Sequence, residues 1–309
     1  MTDGLVYGLA AAAAWGTTDI LAAVAARRIG GLVTAGLVQA TSLAGLVAFS
    51  LATTGRIEAA APDAPLAVAV GAVAAVSYLT FYVALRLGPV AVVSPVGSAY
   101  GAVAVILAVL LLGERPSPTQ ALGVVVVTAG VLAIGIVRDE PGRPVRLVGP
   151  GVPFVIVALL AWGLMTVGIA TLVRDAPLLP VLLVVRVTAA AIVWGLLAGR
   201  AVVRRAGARG APSAVGVAVA DAVPGGAMAR LARGGVGLAL LAGLTDIAGY
   251  VAYATGLRDS LAWLVGLTSS FGPAVAFLFA IAFLGDRLRP LQWLGLGGLA
   301  GGLVLVGLP

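Results

Sequence analysis

The stretch Leu110-Leu-Leu-Gly-Glu-Arg-Pro-Ser-Pro-Thr-Gln-Ala-Leu-Gly123 decides the fold because it occurs twice. Its second copy is Ala282-Phe-Leu-Gly-Asp-Arg-Leu-Arg-Pro-Leu-Gln-Trp-Leu-Gly295. Gly113, Glu114, Arg115, Pro118, Gln120 and Gly123 align with Gly285, Asp286, Arg287, Pro290, Gln292 and Gly295, all at an offset of 172. In each copy an apolar run stops at glycine, an acid and an arginine follow, and a proline opens the next apolar run. Glycine suits the end of a helix and proline its first turn, so the pattern predicts helix stop, polar turn, helix start. Gly113, Glu114 and Arg115, and likewise Gly285, Asp286 and Arg287, are expected to be structural turns that each fix one helix pair.

The repeat extends in both directions. Leu85-Arg86 matches Leu257-Arg258, Ser98 matches Ser270, Ala102-Val-Ala104 matches Ala274-Val-Ala276, and Gly130 and Gly135 match Gly302 and Gly307. Nearer the front of each half, Ala14-Trp15-Gly16 matches Ala161-Trp162-Gly163 at an offset of 147. The offset grows by 25 (172 less 147) because the second half contains a long Arg-rich segment, residues 199–234. Ten runs are long enough to cross about 30 Å of hydrocarbon at about 1.5 Å per residue. They lie near 5–26, 33–54, 66–87, 92–112, 117–137, 151–172, 178–198, 235–257, 260–284 and 288–308. The chain therefore divides into a first five-helix repeat (1–137), a polar linker (138–150) and a second five-helix repeat (151–309). The 199–234 segment is expected to be mobile or partly an interfacial helix. Five is odd, so the second repeat enters the membrane from the opposite side. The expected fold is an all-α integral membrane protein of ten transmembrane helices arranged as two inverted five-helix repeats. Such a construction places a central site between the halves and lets it face either side.

Composition agrees. The chain has 309 residues, 61% hydrophobic and only 10% charged. A soluble protein of this size carries about a quarter charged residues, so most of this surface must face lipid. Strand-length alternating segments are absent, which argues against a β-barrel. The net charge of +7 comes from 19 basic residues, all arginine, lying almost entirely in the connections. Their plain reading is orientation and headgroup contact, with no nucleic acid. There is no cysteine and no histidine. That removes thiol catalysis, histidine–metal sites and histidine acid–base chemistry, and no cofactor or metal is expected. Met1-Thr-Asp-Gly carries no positive charge, so the first apolar run is expected to be a retained helix.

These features together resemble the drug/metabolite transporter superfamily, specifically the ten-helix EamA-type permeases. The Trp-Gly of the first helix of each half, the Gly-Glu-Arg and Gly-Asp-Arg turns, the following Gln-x-x-Gly and Arg186 near the start of the second helix carry the resemblance. Gln39 stands where the first half would place its own arginine, and the long Arg-rich loop also departs from the pattern. The resemblance implies transport of small metabolites, often export, usually driven by an ion gradient, with protons the expected coupling ion. It also implies a bacterial-type inner membrane.

Ionisable groups within membrane helices are expensive and are functional candidates by default. Asp19 lies in helix 1, Asp246 in helix 8 and Arg186 about eight residues into helix 7, with Gln39 as its repeat partner. Either acid could hold a proton or a cationic group, and Arg186 could pair with an acid or a substrate carboxylate. A structural Asp–Arg pair is the alternative. Trp15, Trp162, Tyr78, Tyr82, Ser94, Ser98, Tyr100, Tyr250, Tyr253, Ser269 and Ser270 supply rings and hydroxyls that could orient an amphipathic solute. Tyr78 and Tyr82, Ser94 and Ser98, and Tyr250 and Tyr253 are each expected to share a helix face. Singly, such residues serve as well for interhelical hydrogen bonds or interface anchors. Pro95 and Pro273 are expected to bend helices 4 and 9. The glycines of helix 10 are expected to pack tightly inside the protomer, which is a monomer or a homodimer.

Orientation has two answers. The resemblance implies cytoplasmic termini. With that topology the inside connections carry four arginines and the outside ones fourteen, Arg186 being within a helix. The positive-inside rule favours both termini outside. For function, a secondary transporter of a small metabolite fits best. A membrane-embedded enzyme would need a catalytic constellation that the residues do not supply, and a channel or non-transporting membrane partner would need more polar periodicity.

Overall fold

Alanine, leucine, valine and glycine dominate every span, and in hydrocarbon such a backbone must satisfy its own amides, which a helix does. A computed structural model describes residues 2–57, 63–87, 93, 96–135, 150–205, 228–272, 274–275 and 290–308. Ten helices have described bounds: α1 Thr2–Ile29, α2 Gly31–Thr54, α3 Ala64–Leu87, α4 Tyr100–Leu112, α5 Pro118–Gly135, α6 Val152–Arg174, α7 Leu178–Arg205, α8 Met228–Asp259, α9 Ala262–Ser269 and α10 Pro290–Gly307. No strand occurs among the described residues. Among the described residues, seven stretches are long and apolar enough to cross a membrane, and Val96–Leu112 and Pro118–Ala133 are shorter apolar helices. The outer surface is apolar: Leu110 is 73% exposed, Leu294 72% and Val125 64%. The protein is a multi-pass membrane protein.

The expectation for 199–234 changes at its edges. α7 continues to Arg205 and α8 already begins at Met228. Both helices thus run past the apolar spans expected from the sequence. Residues 206–227 lie outside the described residues, as do Ser94, Pro95, Pro273, Gly285, Asp286 and Arg287.

The repeats are inverted. Gly4, near the start of α1, faces Ser260 in the α8–α9 connection. Arg174, at the end of α6, contacts Glu114 in the α4–α5 connection. One end of the bundle, called the even end, thus collects the start of the first helix of one repeat and the finish of the first helix of the other. At the opposite end Gly234 and Gly235 meet Arg28.

Packing obeys the same symmetry. α1 lies on α8 as α6 lies on α3, α2 lies on α8 as α7 lies on α3, and α1 lies on α9 as α6 lies on α4. The pairs α2–α7, α4–α9 and α5–α10 map onto themselves. Individual atoms repeat the pattern. A Cβ built on Gly71 would fall 2.6 Å from Thr188 Cβ and 2.7 Å from the Val185 carbonyl. Its counterpart on Gly243 would fall 2.5 Å from Thr41 Cβ and 2.9 Å from the Val38 carbonyl. Only glycine allows these backbone approaches, which bring hydroxyl-bearing helices together where apolar attraction offers no driving force.

On α10 one glycine face is packed and another is open. A Cβ at Gly302 would lie 2.6 Å from Val127 Cγ2 and 2.9 Å from the Val127 amide nitrogen of α5, whereas Gly297 and Gly301 meet nothing within 4 Å. The expected internal packing holds for Gly295, Gly298 and Gly302, but Gly297 and Gly301 are not part of it. Gly302→Leu is expected to destabilise the folded protein by about 1–3 kcal/mol through overpacking. Gly301→Leu is expected to change it by less than about 0.5 kcal/mol. Thermal-unfolding midpoints in detergent compare the two, and equal shifts would contradict the assignment of faces.

Candidate substrate and coupling site

Where α2, α3, α7 and α8 meet, polar side chains converge. Arg186 projects from α7 and is 2% exposed, Asp246 from α8 is 2%, and Gln39 from α2 is 3%. Arg186 Nη2 stands 2.8 Å from Asp246 Oδ2. Arg186 Nη1 donates to Gln39 Oε1 at 3.2 Å. Ser42, one helical turn beyond Gln39, donates to Asp246 Oδ2 at 2.8 Å. The Tyr78 hydroxyl of α3 donates to Asp246 Oδ1 at 3.5 Å. The guanidinium plane lies 4.0 Å from the centroid of Tyr250, one turn after Asp246, and 5.9 Å from that of Tyr78. Gln39 and Arg186 are repeat equivalents, so their bond lies on the axis that relates the halves. Two residues at the same register of two inverted repeats can meet only there.

The centre is not internally saturated. Arg186 Nε and the Tyr250 hydroxyl, both buried, make no hydrogen bond. A buried donor without an acceptor carries a penalty of about 1–3 kcal/mol, which a ligand oxygen would relieve.

Around this centre stand the aromatic residues. Trp162 is bordered by Phe81 at 4.9 Å, Tyr100 at 5.7 Å and the edge of Tyr78 at 6.5 Å between centroids. Its repeat partner Trp15 lies 5.1 Å from Tyr253. The Tyr100 hydroxyl and Ser269 Oγ are 2.9 Å apart, and Thr166 bonds the Tyr253 hydroxyl. Tyr250 and Tyr253 are buried inside the bundle, and Tyr78, Tyr100 and Trp162 are half-buried beside them. Tyr250 and Tyr253 are both buried on the inner side of α8 but take different partners. Three residues apart on α8, they diverge, Tyr250 toward Arg186 on α7 and Tyr253 toward Trp15 on α1 and Thr166 on α6.

Asp19 is exposed, yet its carboxylate acts electrostatically on Asp246, Tyr78 and Tyr100. It stands one turn beyond Trp15, while its neighbour Thr18 is buried on α8 at 2.8 Å from Thr245 Oγ1. The structure thus brings Asp19, Gln39, Tyr78, Arg186, Asp246 and Tyr250 into one electrostatic neighbourhood, with Trp15, Trp162 and Ser269 around it. Ser98 is buried. Ser270 returns its hydroxyl to the Leu267 carbonyl at 2.6 Å. The Tyr82 side chain and Ser94 are outside the described residues. Ser42, Phe81 and Thr166 were missed. Ser42 was recoverable, being three residues after Gln39 and so on its face of α2. Among the described residues no cluster of acids could hold a metal ion.

The repeated turn also needs correcting. Gly113, with φ 69°, closes α4. The Glu114 amide then donates back to the Ala108 carbonyl at 3.3 Å. Ser117 and Gln120 form a capping box that starts α5, the Ser117 amide donating to Gln120 Oε1 at 2.8 Å. The Glu114 backbone serves the turn, but its side chain reaches beyond it. Its carboxylate accepts the Ala262 amide at 3.0 Å and the Trp263 amide at 2.9 Å, and pairs with Arg174. It therefore binds the second repeat, which a turn read only by its neighbours in sequence could not reveal.

Two inverted five-helix repeats around a shared polar centre are the architecture of a membrane transporter. The chain belongs to the EamA-like transporter family, whose profile matches residues 2–136 and 149–308. Among solved structures it is similar to a crystal structure described only as that of a protein. The likeness has a TM-score of 0.72 at 19% identity, covering 99% of this chain and 96% of that one. It establishes the shared fold. Comparison with curated proteins finds no match.

Proposed function

We propose that this protein is a secondary active transporter that exports a small amphipathic metabolite, amino acid-like in its charges, by alternating access across a bacterial-type cytoplasmic membrane. The observation that carries the reading is the buried Arg186–Asp246 pair at the junction of the halves, with unpartnered donors beside it. Burying two charges is seldom worth its desolvation as a means of stability, and inside a membrane such groups mark solute paths. A substrate carboxylate accepting from Arg186 Nε and the Tyr250 hydroxyl would compete with Asp246 for the guanidinium. A substrate cationic group would find Asp246, released in that exchange, or Asp19. The aromatic residues would take the apolar part. Protons serve as the coupling ion, with Asp19 as the exposed acid that exchanges them. No catalytic role is assigned to any residue.

Proteoliposomes test this directly. Amino acids and small amphipathic acids and amines are offered with and without an imposed pH gradient. Gradient-driven, saturable flux of at least one class is expected, and its absence across the panel would remove the reading.

Orientation follows from charge. By sequence, the odd-numbered connections carry fourteen arginines and the even-numbered ones four, and the positive-inside rule favours both termini outside the cytoplasm. A terminal reporter active only in the cytoplasm is expected to stay silent at either terminus, while cytoplasmic activity would overturn the charge-based orientation.

A further inference from the structure

Helix α9 begins without a cap of its own. Leu261 at its N-cap position supplies no side-chain hydrogen bond, so its first amides would be orphaned in a dry interior. Glu114, from the other repeat, accepts two of them, one on each carboxylate oxygen. Its side chain is 5% exposed, whereas that of Arg174, which completes the cluster from the end of α6, is 35% exposed. The carboxylate thus faces the positive end of a helix dipole and a cation together, a charge-assisted arrangement. Behind it α9 is sealed: Ala262, Trp263, Leu264 and Val265 are all 0% exposed. Glu114 therefore ties the ends of α4 and α6 to the start of α9, where these three helices meet at the even end.

An open groove of about 400 Å³ runs between the end of α2, the α6–α7 corner and the end of α8, lined in part by Thr54, Pro177, Leu178, Thr255 and Arg258.

We propose that Glu114 is the latch of the even end. While its carboxylate holds the α9 amides and Arg174, that end stays shut over the Arg186–Asp246 centre. Opening to the even side requires the carboxylate to let go, and the half-exposed Arg174 gives water its way in. Substrate is not bound there. The residue sets the balance between two conformations. This rests on the transporter reading, but its test does not require a known substrate.

The chain contains no cysteine, so single cysteines report accessibility without background. Leu264→Cys, behind the latch, is reacted with a membrane-impermeant maleimide supplied from the even-end side. In the otherwise native protein, labelling is expected to be slow. Adding Glu114→Gln or Glu114→Ala is expected to raise the rate at least about tenfold, the factor for losing one charge-assisted hydrogen bond. Arg174→Gln, at a half-exposed position, is expected to act in the same direction and guards against misfolding of the Glu114 variants. Each variant is checked for a single symmetric gel-filtration peak. Unchanged labelling in the folded variants, Arg174→Gln included, would overturn the latch. Faster labelling in a protein that moves no solute would uphold the latch and fail the transporter reading instead.

Discussion

Asp246→Ala with Arg186 retained is expected to abolish gradient-driven transport and to destabilise the folded protein by about 3–5 kcal/mol. The loss of stability comes less from the missing contact than from what remains. Arg186 is 2% exposed, and its other polar neighbour, Gln39, is neutral. An uncompensated guanidinium would sit against Tyr250 and Tyr78, whose ring faces attract a cation by only about 1–2 kcal/mol. The double variant Asp246→Leu with Arg186→Leu removes both charges and is expected to recover most of the stability, because apolar replacement of a whole buried pair is often neutral or favourable. Transport should stay absent in the double variant. Thermal unfolding in detergent and proteoliposome flux, measured on the same preparations, separate the two effects. If the double variant regained transport along with stability, the pair would be structural only, and the substrate would have to bind elsewhere.

The second large effect is expected at Asp19. Asp19→Asn should cancel the dependence of transport on a pH gradient, while substrate exchange between loaded liposomes continues within about threefold of the native rate. Asparagine keeps the shape and the hydrogen-bonding capacity of the side chain but cannot take up or release a proton. Asp19 is exposed, unlike Asp246, which Ser42, Tyr78 and Arg186 occupy. Stability should not fall, because the substitution removes an ionisable group from within a membrane span, where such groups are costly. Persistence of full gradient-driven flux in Asp19→Asn would end the assignment of Asp19 as the coupling acid.

The fold was legible because hydrocarbon restricts it. Apolar runs of membrane length must be helices, and a duplicated helix stop with an odd helix number implies inversion. Arg186, Asp246 and Asp19 stood out for the same reason, as charges in a solvent that penalises them. What the sequence hid are relations across the repeats. Glu114 stands in a turn yet caps a helix 148 residues away. Ser42 looks like any small polar residue in a membrane helix, and only the position of α8 turns it into a partner of Asp246. Spacing put Tyr250 and Tyr253 on the buried side of α8, but their partners on three other helices were not readable from it. Periodicity gives the face of a helix, and the neighbouring helices decide what that face meets.

The contact pattern has a consequence for biosynthesis. The most extensive helix pairs, α1 with α8, α5 with α10 and α3 with α6, all join one half to the other. A ribosome delivers α1 to α5 into the bilayer before those partners exist. The first half must therefore wait in lipid with its Gly71 and Gly123 grooves unfilled, and α5 finds its partner only when the final helix emerges. Assembly is therefore a post-insertion event that waits for α10 to leave the translocon. A chain truncated before α10 should be inserted normally and then removed by membrane quality control.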